Sequence, residues 1–447
     1  PQWHVEVDYE NLTHGWHICY SGDAPTVFTS DIGMLMPTRS MRRLSLAAGA
    51  VLLATTLAAC GGTPTAPSGT GPQEPAASAP SETSPAPTPT PDPVTFKPNI
   101  KNGATGVKVD TFVSVSASAG TLTKVKLSYT NKNRQGRTKH GTVSGALSKD
   151  RTKWMASERL EPATAYKLTS AGKNTVEQAK TVATSFRTQN LTLAKQTYPQ
   201  IYPLKGSHVG VGMPVVLTFD VAVKNKKEFE KNLHVKSSPA QVGSWHWYSS
   251  KEVRYRPKKY WKPGTKVTVT ADLNSVNAGN GVYGQNSTKT NFTVGRALVT
   301  KINLRSDVAR VYRNGKLVRT IYVSAGKPGW QTRSGVKLIM GKDYVHRMTN
   351  TMIGAREHYS LRVRYAMRIT SSGEFLHAAP WNAGNFGRRN ASHGCTGMST
   401  GNAAWLFNQV LIGDPVITTG SSRGMEPGNG YGDCNLSYAK YKKGSAL

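Results

Sequence analysis

Cysteine and acidic residues are scarce in this chain of 447 residues, and no apolar run is long enough for a confident membrane span. Four Cys are too few for a disulfide scaffold. Asp and Glu total 25 against 57 Lys and Arg, for a formal net charge of +32, and only 8% of residues are aromatic. This balance suits an extended polyanion, and charge alone leaves DNA, RNA, anionic lipid and an anionic cell wall as equal candidates.

The longest apolar segment, residues 44–57, has the features of an export signal. Three Arg precede it, at positions 39, 42 and 43, and it is rich in Ala and ends in small residues. The letters LAAC that end at Cys60 resemble the lipobox of bacterial lipoproteins, in which the Cys is diacylated and becomes the mature N-terminus. We predict a lipoprotein signal peptide over 34–59 and lipidation of Cys60; the alternative is an ordinary secretory signal with an incidental Cys.

Residues 1–33 stand ahead of this signal, and we interpret them as an extension outside the folded protein. His4, His14, His17 and Cys19 are therefore not treated as metal ligands. An exported protein has no routine work on nucleic acid, so the expected polyanion is a cell-wall polymer, with membrane contact through the lipid anchor only. The expected location is the outer face of the plasma membrane, within the cell wall or periplasmic space.

The chain length predicts two to four domains. Residues 60–93 are almost wholly Pro, Ser, Thr, Ala and Gly, a composition that cannot bury a core and predicts a semi-extended tether. From Val94 onward, alternating apolar and polar residues predict half-buried strands. The clearest of these are KVKLSYTN, AYKLTSAG and TVATSFRTQ.

The strand pattern occurs twice, about a hundred residues apart. Segment 102–117 matches 205–220 in layout, and a Pro-x-Thr motif at Pro162 recurs at Pro263. We predict two Ig-like β-sandwich domains, 94–190 and 191–295, in a mainly β fold. Neither contains Cys, so neither has the inter-sheet disulfide of antibody domains. Three Trp of the second copy are predicted in a core or domain interface rather than in a sugar platform: Trp245, Trp247 and Trp261. A spacer role is the expected one for both domains.

A third unit is predicted over 296–420, β-rich with one or two short helices. Asn314-Gly315 predicts a tight hairpin. Segment 399–411 predicts a helix capped by Ser399 or Asn402. Its apolar face would comprise Ala404, Leu406, Phe407 and Val410. Segment 412–420 predicts a final strand, and the tail 421–447 has no assigned element but could fold back against the third unit.

The stretch ASHGCTGMS contains the candidate nucleophile, Cys395, and the upstream EFLHAAPW contains a candidate base, His377. The residues between them, 378–391, are rich in Gly, Asn and Pro and can fold back. A thiol attacks only as thiolate. We expect backbone N–H groups of the turn, which runs into the helix, to lie near the sulfur, lower the thiol pKa and bind an oxyanion. Arg388 and Arg389 would add positive charge.

Other chemistries remain open from these residues alone. A Zn²⁺ site is disfavoured because HGC places two ligands poorly and no C-x-x-C partner exists. A buried structural Cys, or a disulfide between Cys395 and Cys434, is compatible with the pattern.

The full order, His377, fourteen residues, then Ser392-His393-Gly394-Cys395, resembles the signature of the L,D-transpeptidase (YkuD-type) catalytic domain. The hairpin segment VYRNGKLVRTIYVSAGKPG and the closing GDPVITTG are similar to the same family, so the resemblance covers roughly 296–420. Two Ig-like domains on a lipoprotein match its mycobacterial and other actinobacterial members. The order differs from that of sortases and of NlpC/P60-type peptidases.

The resemblance implies a role for individual residues. Cys395 would be the nucleophile, and His377 its base, oriented by the carbonyl of Ala378. The backbone N–H groups of His393 and Gly394 would bind the oxyanion. Substrate contacts are implied for the following residues: Tyr359, Ser372, Gly373, Ser392 and Gly397. The segment from about 340 to 359 would be a short mobile flap over the pocket.

One departure from the family pattern follows the nucleophile. The family usually has a hydrophobic residue and then Asn or Arg after HGC, whereas Thr396 and Gly397 stand here. The side-chain contact of the second position is therefore missing, which bears on how the substrate is placed.

The implied activity is peptidoglycan L,D-transpeptidation. Cys395 would attack the third, diamino-acid residue of a tetrapeptide stem, expel D-Ala and pass the acyl group to another stem in a 3→3 cross-link. Carbapenems would acylate the same thiol, and no cofactor or metal is implied. The alternatives are an L,D-carboxypeptidase, in which water replaces the amine, and a non-catalytic wall-binding Ig-like lipoprotein, which Gly397 would suggest.

Overall fold

Strands make up most of the regular structure of this chain. The computed structural model describes residues 91–132, 136–354, 356 and 358–447. The predictions for the 1–33 extension, the 34–59 signal, lipidation at Cys60 and nearly all of the tether lie outside these residues. None of the helices in the described part of the chain has the length and apolar character that a bilayer crossing requires.

Two sheets form the first group of strands, in the orders β1-β3-β7-β6 and β2-β9-β8-β4-β5. The predicted alternating segments lie in β4, β8 and β9, and their inward positions, such as Leu127 and Leu168, are buried against Trp154 of the other sheet. The strands are β1 (Thr95–Pro98), β2 (Ala104–Val107), β3 (Ser114–Ser118), β4 (Thr121–Lys132), β5 (Thr138–Val143), β6 (Gly145–Leu147), β7 (Lys153–Ala156), β8 (Ala165–Lys173) and β9 (Ala179–Thr188).

The second group of strands repeats the layout of the first. Its sheets have the orders β11-β13-β16-β15, β12-β20-β17-β14 and β10-β19-β18. The strands are β10 (Gln196–Thr197), β11 (Pro199–Tyr202), β12 (Ser207–Val209), β13 (Val215–Phe219), β14 (Leu233–Ser238), β15 (Gly243–Trp247), β16 (Glu252–Pro257), β17 (Lys266–Ala271), β18 (Asn277–Gly279), β19 (Val282–Gly284) and β20 (Thr288–Val294), with helix α1 (Lys226–Lys231) and a 3₁₀ turn at Leu193–Lys195.

The internal repeat is confirmed by the strand pairing. In the first group the short β2 pairs in parallel with the last strand, β9, and in the second group β12 pairs in parallel with β20. The predicted core position of Trp245, Trp247 and Trp261 is also confirmed, since all three lie in the buried cluster of the second group.

The third group of strands forms two sheets, β23-β22-β21-β29-β24 and β25-β26-β27-β28. Its strands are β21 (Leu298–Asn303), β22 (Val308–Arg313), β23 (Lys316–Tyr322), β24 (Gly335–Leu338), β25 (Gly341–Thr349), β26 (Ser360–Arg368), β27 (Phe375–Ala378), β28 (Thr396–Met398) and β29 (Pro415–Thr419). The helices are α2 (Thr400–Gln409) and α3 (Tyr438–Lys442), with 3₁₀ turns at Asn350–Ile353, Pro380–Asn385 and Asp433–Asn435.

Local signals in this third group predict its hairpin and helix. Asn314 and Gly315 adopt φ of 49° and 83°, the left-handed pair that a tight two-residue hairpin requires, and Arg313 pairs with Lys316. Ser399 caps α2 by accepting from the Asn402 backbone N–H. The buried face of α2 differs by one residue, because Ala403 rather than Ala404 is buried beside Leu406.

The C-terminal segment folds back, but against two groups of strands rather than against the third alone. Asn435 Nδ2 donates to the Val336 carbonyl in the third group, at 2.7 Å. In the second group, Arg254 forms a buried ion pair with Asp433 at 3.1 Å, and the His246 ring stacks on the fully buried Tyr441. This segment therefore joins the second sandwich to the unit that contains Cys395.

Candidate active site

Parallel pairing of β27 with β28 places the two predicted reactive residues on one face of a sheet. His377 is opposite Gly397 in the register, and Leu376 is opposite Thr396. Side chains alternate along a strand, so Cys395, two positions before Gly397, projects from the same face as the imidazole of His377. The segment 378–391 folds back as the sequence predicts and makes this arrangement possible.

The imidazole of His377 is oriented by a backbone carbonyl. Its Nδ1 lies 2.8 Å from the Ala378 carbonyl oxygen. Because a carbonyl only accepts, Nδ1 must carry the proton, which leaves Nε2 as the basic nitrogen. Burial lowers the pKa of His377 below its ordinary 6.5, so the ring is neutral at pH 7. Its face stacks on the largely exposed ring of Trp381, with centroids 6.0 Å apart.

The thiol of Cys395 is desolvated by its surroundings. Burial raises its pKa to about 12, and a backbone hydrogen bond with Phe375 acts in the opposite direction. Its Sγ donates to the Gly373 carbonyl oxygen at 3.6 Å. The expectation of a lowered thiol pKa is therefore wrong for this structure: thiol and imidazole are both neutral at pH 7. Cys395 and Cys434 are both free, so the disulfide between them is excluded.

The helix does not act on the sulfur as expected. Strand β28 separates Cys395 from α2, whose first residue is Thr400, so the helix N-terminus is not directed at the thiol. Arg388 and Arg389 are exposed, and the Arg389 guanidinium donates to Asn385. The positive charges that favour the thiolate come instead from Arg368 and Lys337.

A buried ionic cluster beside the thiol was not predicted from the sequence. Lys337, with a fully buried side chain, donates to one carboxylate oxygen of Glu374 at 2.7 Å, and Arg333 donates to the other at 2.9 Å. Glu374 directly follows Gly373, whose carbonyl accepts from the thiol. The alternation rule would place Lys337 on an outer face; it fails because both Lys337 and Leu338 of β24 are covered.

The Ser392–Cys395 turn is held by its own hydrogen bonds. Ser392 Oγ donates to the Cys395 carbonyl at 2.6 Å and accepts from the Gly394 N–H at 3.0 Å. Thr332 Oγ1 donates to the Gly394 carbonyl at 2.7 Å. The Gly394 N–H, a predicted oxyanion donor, is thus engaged within the turn in this structure, and the Ser392 hydroxyl positions the turn.

An aromatic cluster borders the turn. The Tyr359 ring stacks on the His393 imidazole with centroids 5.5 Å apart, and Trp330 meets the same imidazole edge-on at 5.3 Å. Tyr359 directly precedes β26, and the described part of the predicted flap includes β25, which forms a hairpin with β26, and the 3₁₀ turn that follows β25. The structure therefore brings Tyr359 to the HGC turn.

The loop before β27 is fastened by the C-terminal segment. Asn429 Nδ2 donates to Ser372 Oγ at 2.9 Å, and the Ser372 N–H donates to Asn429 Oδ1 at 2.9 Å. Gly373 has a φ of +93°, which directs its carbonyl toward Cys395. Asn429, fifty-seven residues further along the chain, was missed because nothing in the sequence relates it to Ser372.

Gly397 is explained by packing. A Cβ at this position would lie 2.8 Å from the Cβ of Ala379. The backbone of Gly397 also exchanges two hydrogen bonds with Ser324, at 2.8 and 3.0 Å. The absence of a side chain therefore belongs to the close fit of β28 in the sheet.

Within the ranges that the structure describes, no three His, Cys, Asp or Glu side chains converge as metal ligands would.

Comparisons with known proteins agree with this geometry. A family model described as bacterial Ig domain matches residues 104–277, and one described as L,D-transpeptidase catalytic domain matches 299–418. L,D-transpeptidase 2 of Mycobacterium tuberculosis is 33% identical over 354 residues, which cover 78% of this chain and 84% of that protein. L,D-transpeptidase 1 of the same species is 34% identical over 224 residues, covering 49% of this chain and 84% of that protein.

Among solved structures, that of the L,D-transpeptidase LdtMt1 in complex with imipenem is 33% identical, with a TM-score of 0.44, and covers 49% of this chain and 97% of that one. The long match to L,D-transpeptidase 2, which spans most of both chains, is the decisive one. The chain belongs to the L,D-transpeptidase family and is a peptidoglycan L,D-transpeptidase with bacterial Ig domains ahead of its catalytic domain.

Proposed function

We propose that this enzyme forms 3→3 cross-links through a thioester on Cys395. The observation that carries the proposal is the shared face of Cys395 and His377, with the imidazole fixed by the Ala378 carbonyl so that Nε2 is basic. In the first step, sulfur attacks the carbonyl carbon of the diamino acid at position three of a tetrapeptide donor. The C–N bond to D-Ala breaks, and the amine leaves with the proton that Nε2 took from the thiol.

The second step reverses the first with a different amine. The side-chain amine of an acceptor stem attacks the thioester carbon, the C–S bond breaks, and the thiol regains its proton through His377. Both residues start neutral, since the pKa of Cys395 is about 12 and that of His377 is lowered. Proton transfer therefore accompanies attack, and the cations Lys337 and Arg368 stabilise the charge that develops on sulfur.

The surrounding residues are assigned to the substrate. Tyr359, stacked on His393, would line the donor-stem site, and the loop of Ser372 and Gly373 would contact the stem backbone. The backbone N–H groups of His393 and Gly394 would bind the oxyanion, which for Gly394 requires release from Ser392 Oγ. Gly397, predicted as a substrate contact, would instead allow β28 to pack closely against Ala379, because a Cβ there would lie 2.8 Å from the Ala379 Cβ.

The test is incubation of the purified chain with a disaccharide-tetrapeptide. Mass spectrometry should show loss of D-Ala, a covalent acyl adduct on Cys395 and cross-linked dimers. Accumulation of tripeptide monomers without dimers would identify an L,D-carboxypeptidase instead. A carbapenem should acylate the same thiol, detected as an intact-mass increase that Cys395→Ala abolishes.

We also propose that the enzyme is held in the envelope by a lipid on Cys60 and by contact with anionic wall polymers. The lipobox-like sequence and the net charge of +32 support this location. Metabolic labelling with a fatty acid should mark the wild-type protein and fail for Cys60→Ser. Because exposed charges are screened by salt, binding to isolated sacculi should weaken as salt rises.

A further inference from the structure

The first sandwich has a sheet with no acidic residue in any of its strands. The sheet β2-β9-β8-β4-β5 spans Ala104–Val107, Ala179–Thr188, Ala165–Lys173, Thr121–Lys132 and Thr138–Val143. None of these segments contains Asp or Glu, whereas Lys or Arg occurs in all but the first.

Three exposed cations of this sheet, Lys126, Lys167 and Arg187, lie on one diagonal. Ser128 of β4 is opposite Lys167 of β8, which is opposite Ser185 of β9. Lys126 is two residues to one side of that row, and Arg187 is two residues to the other. All of these side chains project from the outer face of the sheet, whereas Leu127 and Leu168 project from the opposite face into the core. Diagonal neighbours are separated by about 7–8 Å at Cα, so Lys126, Lys167 and Arg187 form an evenly spaced line.

Hydrogen-bond donors surround this line of cations, and the surface there forms a groove. The groove of ≈ 760 Å³ is lined by the three cations, by residues with hydroxyls such as Ser128, Thr142 and Ser185, and by aromatic residues, Tyr129, Tyr166 and Phe186. Lys126, Lys167 and Arg187 are exposed, and none forms an ion pair with another described residue. Arg187 uses one N–H on the Ala163 carbonyl at 3.0 Å, which fixes the guanidinium and leaves donors for a ligand.

We propose that this face, the cationic groove of the first sandwich, binds a polymer of sugars or polyols that carries an anionic group on each repeat. Evenly spaced cations fit repeated anions, and hydroxyl donors fit phosphate or sugar oxygens. A peptide stem bears amines as well as carboxylates, and these strands offer no carboxylate to receive an amine. A concave surface also suits a chain better than a planar bilayer. The inference rests on the proposed wall location and gives the first sandwich a partner instead of a spacer role.

The test compares two triple variants of the full chain with equal loss of charge. Lys126→Ser/Lys167→Ser/Arg187→Ser removes the diagonal. Lys236→Ser/Lys266→Ser/Lys289→Ser removes three exposed Lys from β14, β17 and β20 of the second sandwich, where Lys236 and Lys266 are diagonal neighbours but Lys289 lies off that line. Binding is measured by co-sedimentation with sacculi at several salt concentrations. The first variant should bind on the order of 100-fold more weakly at low salt. Its slope of log affinity against log salt should fall by up to about three.

Further binding measurements, with treated sacculi and with lipid vesicles, identify the ligand. Sacculi treated with hydrofluoric acid lose phosphodiester-linked polymers, and wild-type binding should fall on them if the repeated anion is phosphate; retained diagonal-dependent binding would indicate carboxylate-bearing sugars. An equal loss in both triple variants, or diagonal-dependent binding only to anionic lipid vesicles, would overturn the proposal. Both variants should turn over a soluble disaccharide-tetrapeptide as wild type does. Failure of that reaction in the wild type would instead count against the proposed chemistry.

Discussion

The two free thiols of the described residues, Cys395 and Cys434, are both desolvated, but the groups that surround them differ. Burial raises the pKa of Cys395 to about 12 and that of Cys434 to about 11. Cys434 is in the 3₁₀ turn Asp433–Asn435 of the C-terminal segment, where Arg256 favours and Asp433 opposes its thiolate. A raised pKa therefore does not distinguish a nucleophile from a structural thiol here.

The difference is what surrounds each sulfur. Cys395 shares a sheet face with a neutral imidazole whose Nε2 is basic, and two buried cations, Lys337 and Arg368, favour its thiolate. Around Cys434 the contacts are structural: Arg254, Asp433 and Tyr441 join the second sandwich to the C-terminal segment. In the mechanism proposed for Cys395, the thiol is therefore deprotonated during attack and is not a thiolate beforehand.

Removing each thiol in turn should give the largest difference in activity between the two regions. Cys395→Ala should abolish cross-linking and acyl-enzyme formation, a loss of at least about 10³-fold, because no other nucleophile is placed on the β27–β28 face. Cys434→Ser should keep the rate within about twofold. Dimer yield and intact-mass adducts report both outcomes. Adduct formation on Cys434 in the Cys395→Ala variant would contradict the distinction.

The sequence predicts the secondary structure of this protein better than it predicts the electrostatics around Cys395. The alternating strands, the Asn314-Gly315 hairpin and the Ser399 cap follow from local rules, and the structure confirms each of them. The fold-back that brings His377 and Cys395 to one face also follows from composition. These features depend on residues close in the chain, for which spacing is informative.

What the sequence could not predict depends on distant residues and on burial. The cluster of Arg333, Lys337 and Glu374 forms because β24 is covered on both faces, and Asn429 reaches Ser372 only through the fold of the C-terminal segment. The thiol pKa was predicted in the wrong direction because turn N–H groups were expected near the sulfur, whereas desolvation dominates.

His377→Gln should lower the rate of acylation by roughly 10²–10⁴-fold, the range for loss of a general base. Because burial depresses the pKa of His377, wild-type activity should persist below pH 6.5 and fall only as pH drops through the depressed pKa. The same sign applies to stability: acid protonates the unfolded His first, so folding free energy is lost below about pH 6.5. Denaturant unfolding at pH 5 and 7 should show a smaller loss for His377→Gln; an equal loss would show that this imidazole is not buried neutral.

The buried cluster separates a charge effect from a purely structural one. Lys337→Met removes a cation near the sulfur and should slow alkylation of Cys395 by roughly tenfold, the effect of a one-unit rise in thiol pKa. Glu374→Gln removes the opposing anion and should speed it, although both changes break a buried pair and should cost about 3 kcal/mol of stability. The double variant Lys337→Met/Glu374→Gln should return near the wild-type rate. Slower alkylation in both single variants would indicate packing alone, and Arg256→Met, near Cys434, is the control that should leave Cys395 unchanged.

The smallest change tests the fit of the strand that follows Cys395. Gly397→Ala places a Cβ 2.8 Å from that of Ala379, so we expect a loss of about 1–3 kcal/mol from overpacking. Ala379→Gly in the same chain removes the clashing atom and should recover most of that loss, as measured by denaturant unfolding. Because β28 continues from the turn that contains Cys395, alkylation of this thiol should change while that of Cys434 does not. If Gly397→Ala were neutral, the absence of a side chain would have to be explained by the substrate, since packing would not require it.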